Sequence, residues 1–264
     1  MTASSASPIG VFDSGVGGLS VLREIRRELP HESVLYVADS GYAPYGDRPA
    51  AFIQERSLAV TQALIERGAK AIVVACNTAT GAAVEVLRQA FSLPIVAIEP
   101  AVKPAAAATR SGVVGVMATS VTLSSTNLLR LVGQYPAPGG TAMQACPGLV
   151  EQVEQGDVSS PVTRALVEQY VRPLVDKGAD TIVLGCTHYA FLEPVIQAVA
   201  GPAVTVIDPA PAVARELRRR LTGASLLASE DAVASERYLT TGDTAQAARV
   251  MSQLLGRDVP VARV

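Results

Sequence analysis

The sequence contains no tryptophan and few other aromatic residues, with 4 Phe and 7 Tyr among 264 residues. It therefore has little material for the aromatic platforms on which single-stranded nucleic acids stack. An excess of positive charge is also missing, because 22 Lys and Arg stand against 24 Asp and Glu for a net charge of −2. Proteins that bind nucleic acid neutralise phosphates with such an excess, so we expect no nucleic-acid partner.

Long hydrophobic runs and a cysteine framework are absent as well. No apolar stretch reaches the roughly 18 residues that a membrane helix needs, and the first residues, MTASSASPIG, do not resemble a secretory signal. The three cysteines, Cys76, Cys146 and Cys186, are too few to staple a chain of this length. We expect a reduced, cytoplasmic protein with no membrane partner. Two histidines and scattered cysteines also argue against a metal site.

Apolar residues make up 49% of the chain and charged residues 17%, which excludes a disordered protein. Short runs rich in Val and Ile alternate with stretches of helical period. The predicted strands are 9–13, 33–39, 71–76, 94–98, 112–118, 181–186 and 204–208, and the main predicted helices are 18–29, 51–68, 79–91, 161–177 and 210–221. Strands without polar alternation are typical of parallel sheets covered by helices on both faces. We therefore predict an α/β fold, with ligands beyond the carboxyl ends of the strands.

The chain carries an internal repeat. LIERGAKAIVVAC at 64–76 matches LVDKGADTIVLGC at 174–186 with an offset of 110, and IVAIEPA at 95–101 matches VTVIDPA at 204–210 with an offset of 109. A fainter match joins 10–15 to 115–120. A period this long indicates duplicated domains rather than a solenoid, although two unrelated strands of similar composition are the alternative. We predict two pseudosymmetric three-layer α/β domains, one of residues 1–98 and 209–264 and one of 99–208, with the active site between them.

Cys76 in ACNTAT and Cys186 in GCTHYA each follow a predicted strand and occupy equivalent positions of the repeat. A single cysteine at such a position is usually an inert core residue. Two thiols facing one ligand are suited to inversion at carbon, because one thiolate removes a proton from one face and the other thiol returns a proton to the opposite face. The ordinary thiol pKa of about 8.5 leaves some thiolate near neutrality. Cys146 has no counterpart and is predicted to be structural.

Two further residues are candidates for proton transfer. Asp13 in FDSGVGG ends the first strand and is expected to orient or relay the proton of Cys76, or alternatively to cap a helix that begins near Gly18. His188 stands two residues after Cys186 and is a candidate acid or base, with a packed histidine as the alternative. The GVGG segment lacks the spacing of a dinucleotide fingerprint, but it fits a turn whose amides approach an anion.

The three lysines bear on the question of a cofactor. Lys70 and Lys177 lie in predicted turns before strands, and the turn with Lys70 is expected to be mobile; Lys103 is only a remote possibility. None is placed at the carboxyl end of a strand, so a pyridoxal Schiff base has no suitable lysine. We expect no cofactor.

Six ordered blocks resemble the glutamate racemases, the cofactor-independent two-cysteine enzymes that supply D-glutamate for the bacterial cell wall. They cover roughly residues 8–221 and are FDSGVGGLS (12–20), ADSGYAPYG (38–46), ACNTAT (75–80), ACPGLVEQVEQG (145–156), LGCTHYA (184–190) and VIDPA (206–210). The resemblance implies that Cys76 takes the α-proton of D-glutamate and Cys186 that of L-glutamate. Asp13 would assist Cys76, and His188 and Glu154 would assist Cys186.

The resemblance also implies a glutamate-binding set and a homodimer. The expected substrate-binding residues are Asp13, Ser14, Pro44, Tyr45, Gly46, Asn77, Thr78, Thr119, Thr122, Thr187 and His188. Two positions depart from the family pattern, with Ala190 where proline is usual and Asn127 where an aromatic residue is common. Three alternatives stay open: a racemase for aspartate or another amino acid, a non-catalytic protein that binds an acidic amino acid, and a thiol-redox protein.

Overall fold

The computed structural model describes residues 4–264, which form ten strands and eleven α-helices. The strands are β1 (Ile9–Asp13), β2 (Val34–Ala38), β3 (Ala71–Val74), β4 (Ile95–Ala97), β5 (Val113–Ala118), β6 (Gly140–Ala145), β7 (Thr181–Leu184), β8 (Thr205–Ile207), β9 (Glu236–Thr240) and β10 (Val261–Arg263). The helices are α1 (Leu19–Glu28), α2 (Ala50–Glu66), α3 (Asn77–Ala90), α4 (Val102–Ala108), α5 (Ser120–Leu123), α6 (Thr126–Gln134), α7 (Leu149–Glu154), α8 (Pro161–Asp176), α9 (Glu193–Ala200), α10 (Ala210–Gly223) and α11 (Thr244–Leu255). Three short 3₁₀ helices lie at Ser40–Tyr42, Tyr45–Asp47 and Thr187–Leu192.

The strands form two sheets in which every neighbouring pair is parallel. The first sheet has the order β10-β9-β2-β1-β3-β4, and the second has the order β6-β5-β7-β8. Every residue of β1, β2, β3 and β7 is buried. The predicted α/β fold with parallel sheets buried on both faces is therefore confirmed, and all seven predicted strands are present.

The two sheets repeat one topology. The order β2-β1-β3-β4 in the first sheet matches β6-β5-β7-β8 in the second. Gly10 on β1 packs against the side chains of Leu64 and Ile72, and Gly115 on β5 packs against those of Leu174 and Ile182. A Cβ added to either glycine would lie only 3.0 to 3.4 Å from these side chains. Both leucines and both isoleucines are separated by 110 residues. The internal sequence match therefore preserves the packing of a helix on a strand, while the predicted domain boundaries at 98/99 and 208/209 stay a prediction.

Three strands were not predicted from the sequence. The strand β6 is half-exposed at the edge of the second sheet, and β9 and β10 extend the first sheet beyond β2. After β8 the chain continues into α10, which packs against α1. No helix among residues 4–264 is both long enough and apolar enough to span a membrane.

The expectation that Lys70 lies in a mobile turn is wrong. Its side chain is fully buried, and its Nζ lies 2.6 Å from Oε2 of Glu32, which is also buried. The ammonium group also donates to the carbonyl of Ser5, and Oε1 of Glu32 accepts from the amide of Ala228 at 2.8 Å. This ion pair joins the start of β3, the N-terminal segment and the loop after α10. Lys70 itself directly precedes β3 and lies away from the carboxyl ends of the strands, as the sequence predicts.

We predict that Lys70→Ala destabilises the protein by about 3–5 kcal/mol, because it leaves the Glu32 carboxylate buried without a counter-ion. The double variant Lys70→Met/Glu32→Gln removes both charges and is expected to lose less. The measurement is the free energy of unfolding in urea. The control is Arg27→Ala, whose side chain is 77% exposed beside Glu24 and whose loss costs at most about 1 kcal/mol. Equal losses in Lys70→Ala and Arg27→Ala would contradict the prediction.

Candidate active site

A narrow, partly open cavity of about 20 Å³ lies where the carboxyl ends of the two sheets meet. In the first sheet β2 lies on one side of β1 and β3 on the other, and in the second sheet β6 and β7 flank β5 in the same way. This change of side along the chain creates a crevice between β1 and β3 and between β5 and β7, at the carboxyl ends of the strands. The residues that line the cavity are Ser14, Pro44, Tyr45, Gly46, Cys76, Asn77, Thr78, Thr119, Val150, Cys186, Thr187 and His188. All but Val150 are site residues predicted from the sequence. The remaining predicted residues, Asp13, Thr122 and Glu154, lie behind this wall.

Cys76 follows β3 and forms the N-cap of α3. Its Sγ accepts a hydrogen bond from the amide of Ala79 at 3.4 Å and donates to Oγ of Ser14 at 3.7 Å. Burial and the neighbouring carboxylate of Asp13 raise the pKa of the Cys76 thiol to about 12. The group is therefore a neutral thiol at neutral pH.

Asp13 is fully buried at the end of β1. Its Oδ1 accepts from the amide of Gly15 at 2.8 Å and from Oγ of Ser14 at 3.4 Å, and its Oδ2 accepts from Oγ1 of Thr187 at 3.0 Å. Burial raises the pKa of Asp13 to about 6, and the charge of His188 opposes this rise. The alternative interpretation of Asp13 as a helix cap is wrong, because α1 has Gly18 as its N-cap and no side chain caps it.

Cys186 follows β7 and lies beside a buried histidine and a glutamate. Its Sγ is 3.7 Å from Nδ1 of His188, and Nε2 of the same ring is 2.6 Å from Oε1 of Glu154. Burial lowers the pKa of His188, but the hydrogen bonds to Cys186 and Glu154 outweigh it and raise the pKa well above its ordinary value. These contacts therefore favour the charged imidazolium form of the ring. It is held by side chains, so the alternative of a packed histidine satisfied by backbone is wrong.

The GVGG segment holds carboxylates of the protein rather than lining the cavity with amides. The amide of Gly15 donates to Asp13, and the amide of Val16 donates to Oε1 of Glu154 at 2.7 Å. An added Cβ on Gly15 would lie 1.9 Å from Oε1 of Glu154, and one on Gly17 would lie 2.3 Å from Nδ1 of His188. Glycine at both positions therefore allows the first half of the chain to approach the Glu154–His188 pair closely.

Three threonine hydroxyls join the two halves on another wall of the cavity. Oγ1 of Thr78 lies 3.1 Å from those of Thr119 and Thr122, and the latter two are 3.0 Å apart. Thr119 also touches the loop of residues 44–46, because an added Cβ on Gly46 would lie 3.1 Å from its Cβ. Thr122 stands behind the other two hydroxyls.

Asn77 is the polar group in this wall that has no partner. Its side chain is 5% exposed and lines the cavity, yet neither its amide nitrogen nor its amide oxygen forms a hydrogen bond. Leaving a buried amide unpaired costs free energy, so such groups usually await a ligand or ordered water. The cavity is therefore built to receive a polar molecule.

Val150 is the lining residue that sequence reasoning missed. It lies on α7, inside the sequence block at 145–156, but an apolar side chain gives no chemical signal by itself. None of the three lysines lines the cavity. Among residues 4–264, no group of three or more His, Cys, Asp or Glu side chains is arranged to hold a metal ion.

Comparison with known proteins relates this site to one enzyme family. The model of the Asp/Glu/hydantoin racemase family matches residues 9–217. The chain is 55% identical to a glutamate racemase of Methylococcus capsulatus over 94% of this chain and 91% of that protein, and 48% identical to one of Pseudomonas aeruginosa over 99% of both. A glutamate racemase isoform of Bacillus anthracis, RacE1, is similar in structure, with a TM-score of 0.89, 34% identity and 98% of each chain covered. A structure of the Escherichia coli enzyme with L-glutamate and an activator has a TM-score of 0.85, 31% identity and 97% of each chain covered.

We predict that Asp13 titrates near pH 6 in the folded protein. Between about pH 4 and pH 6 the folded state holds a proton on Asp13 that the unfolded chain has lost, so the contribution of Asp13 to stability falls as the pH rises through this window. Asp13→Asn is expected to remove this fall. The measurement is the free energy of unfolding of both proteins from pH 4 to 7, together with the carboxyl ¹³C shift of Asp13. A parallel pH dependence in the two proteins would contradict the prediction.

Proposed function

Because the chain belongs to the Asp/Glu/hydantoin racemase family, we propose that it interconverts L-glutamate and D-glutamate by proton transfer at the α-carbon. The observation that carries this proposal is that Cys76 and Cys186, from equivalent strand ends of the two sheets, line one cavity. A thiol on each side of the substrate is what a two-base inversion requires, because the proton leaves from one face and arrives at the other.

In the proposed reaction from D- to L-glutamate, Cys76 first becomes a thiolate. Its proton passes to Ser14, whose own hydroxyl proton passes to the carboxylate of Asp13, along the contacts of 3.7 and 3.4 Å. The thiolate then takes the α-proton, and the electron pair of the C–H bond stays on the substrate. Cys186 gives its proton to the opposite face of the α-carbon and is left as a thiolate.

The two thiols have partners of opposite charge. Asp13 is a base toward Cys76, whereas the imidazolium of His188 stabilises the thiolate formed on Cys186. Glu154 holds His188 in place and sustains its charge through the 2.6 Å contact. In the reverse direction Cys186 is the base and Cys76 is the acid, so each side of the cavity returns to its starting protonation state after one turnover in each direction.

The proposed substrate contacts come mostly from neutral donors, with His188 as the charged one. The unpartnered amide of Asn77 and the hydroxyls of Thr78 and Thr119 face the cavity and suit the carboxylates of glutamate. Ser14, Thr187, His188 and the backbone of Pro44, Tyr45 and Gly46 complete the set, with Asp13 and Thr122 supporting it from behind. We propose that catalysis needs no bound cofactor, since the thiols and their partners supply the acid and base.

Glutamate is preferred to aspartate in this proposal because the relatives at 48–55% identity are named glutamate racemases, and the E. coli neighbour was solved with L-glutamate. A racemase of the same type for aspartate is the second candidate. The proposed role is to supply D-glutamate for peptidoglycan in the cytoplasm. The homodimer stays a prediction, which light scattering of the purified protein tests.

The proposed mechanism predicts where deuterium first appears in D₂O. With D-glutamate as substrate, the product L-glutamate carries deuterium from its first appearance, because the thiol that delivers the proton is not the one that removed it. The remaining D-glutamate stays protonated early in the reaction. The measurement is ¹H NMR of the α-proton combined with chiral separation. Early product that retains the substrate proton would contradict the two-base mechanism, and exchange with aspartate alone would favour the second candidate.

Single substitution of either cavity thiol is predicted to abolish inversion. Cys76→Ser and Cys186→Ser are expected to lower kcat by at least about 10³-fold, because a serine hydroxyl is a far weaker acid than a thiol, so it forms almost no alkoxide to act as the base and is a poor proton donor. The matched control is Cys146→Ser, which alters a buried cysteine that does not line the cavity and is expected to retain most of the activity. A similar loss in all three variants would contradict the assignment.

Asn77→Ala is predicted to raise KM for glutamate by about tenfold or more, because the variant loses a hydrogen bond to a charged ligand. The control is Asn127→Ala, an asparagine whose Oδ1 accepts from exposed Arg130 outside the cavity. Steady-state kinetics in both directions measure the effect. An unchanged KM in Asn77→Ala would show that its amide does not hold the substrate.

A further inference from the structure

Asp39, at the end of β2, is a buried carboxylate outside the proposed reaction. Its side chain is fully buried and accepts from four donors. Oδ1 accepts from Nη2 of Arg56 at 2.9 Å and from Oγ1 of Thr241 at 2.8 Å, and Oδ2 accepts from Nε of Arg56 at 3.0 Å and from the hydroxyl of Tyr45. We call Asp39, Tyr45, Arg56 and Thr241 the Asp39 cluster. All acceptor sites of the carboxylate are used within the protein.

The Asp39 cluster reaches the active site through Tyr45. This residue is 1% exposed, lines the cavity and belongs to the substrate loop, residues 44–46. Its ring meets Phe52 edge-on, with 6.4 Å between the ring centres. The hydroxyl of Tyr45 has Asp39 as its partner, so the carboxylate fixes the ring and with it the backbone of the loop that faces the cavity.

Thr241 brings the C-terminal part of the chain into this arrangement. It directly follows β9, and its amide donates to the carbonyl of Ala38 at 3.1 Å. Its hydroxyl donates to Asp39 and accepts from the amide of Gly41 at 3.1 Å. An added Cβ on Gly41 would lie 2.7 Å from the carbonyl oxygen of Thr241, so the two segments are in direct backbone contact.

We propose that Asp39 is a positioning residue for substrate binding, and that Thr241 completes its site from the C-terminal segment. The inference rests on the proposed function and extends it to residues that do not line the cavity. Asp39 holds Tyr45 so that the substrate loop keeps its shape in the empty protein. Because the loop is already ordered in the free protein, less conformational entropy is lost when glutamate binds.

The experiment compares two threonines with the same chemistry in different places. Thr241→Val removes a hydroxyl that donates to Asp39. Thr109→Val removes a hydroxyl that donates to Asp180 at 2.6 Å, at the opposite, amino end of the second sheet. Asp39→Asn is a stronger variant, because its amide NH₂ would face a donor. Each protein is measured for its melting temperature, for KM and kcat with glutamate, and for amide exchange in residues 39–48 without substrate.

We expect Thr241→Val and Thr109→Val to lower the melting temperature similarly. Thr241→Val is expected to raise KM by about tenfold with a smaller change in kcat, since a hydrogen bond to a charged group is lost. It is also expected to speed amide exchange in residues 39–48, whereas Thr109→Val changes neither quantity. A double-mutant cycle with Tyr45→Phe should be non-additive in KM, because both hydroxyls act through the same carboxylate.

The inference is overturned if Thr241→Val and folded Asp39→Asn lose stability but keep the wild-type KM and loop exchange, or if Thr109→Val shifts them equally. Failure of the proposed function is a separate outcome, recognised by wild-type protein that does not racemise glutamate. Amide exchange in residues 39–48 needs no substrate, so it still decides whether the Asp39 cluster orders the loop.

Discussion

The structure depends on burying polar strand ends between two sheets that face each other through their carboxyl edges. Such groups are tolerated only when each finds a partner, and here many partners come from the other half of the chain. Asp13 bonds to Thr187, Val16 to Glu154, and Thr78 to Thr119. These bonds seal the cleft and leave a small cavity. Asn77 is the exception in the cavity wall, and its missing partner is the reason to expect a ligand there.

The same burial creates an electrostatic difference between the two thiols. Removal from water raises the pKa of Cys76, and the carboxylate beside it raises it further, so its ionisation has to be coupled to a proton acceptor nearby. Cys186 instead has an imidazolium as its neighbour, sustained by Glu154. A duplicated scaffold thus places the same residue twice, while the unlike groups around it distinguish the two faces of a substrate. The repeat supplies the symmetry, and these neighbours break it.

Sequence patterns predicted the interior of the fold better than its edges. Strands buried on both faces, such as β1 and β7, are runs of apolar residues and were identified, whereas β6, β9 and β10 were not. The strands β6 (GTAMQA) and β9 (ERYLT) carry small or charged residues, because an edge or half-exposed strand does not need an apolar run. Among the site residues, the two strand-end cysteines could be identified because they occupy matching positions of the internal repeat. Val150 could not be identified, because nothing in its sequence context marks it as a lining residue. The burial of Lys70 could not be predicted either, since it depends on Glu32, which is far from it in the sequence.

The first sheet is assembled from both ends of the chain, since β9 pairs with β2 and brings Thr241 onto the loop after that strand. Ribosomal synthesis is vectorial, so β2 emerges long before residues 236–240 exist. Until then the outer side of β2 lacks its neighbour, and the backbone groups there are open to other strands or to chaperones. The second sheet, formed wholly by residues 113–207, has all its strands available earlier. The nascent protein can therefore complete the second sheet before the first.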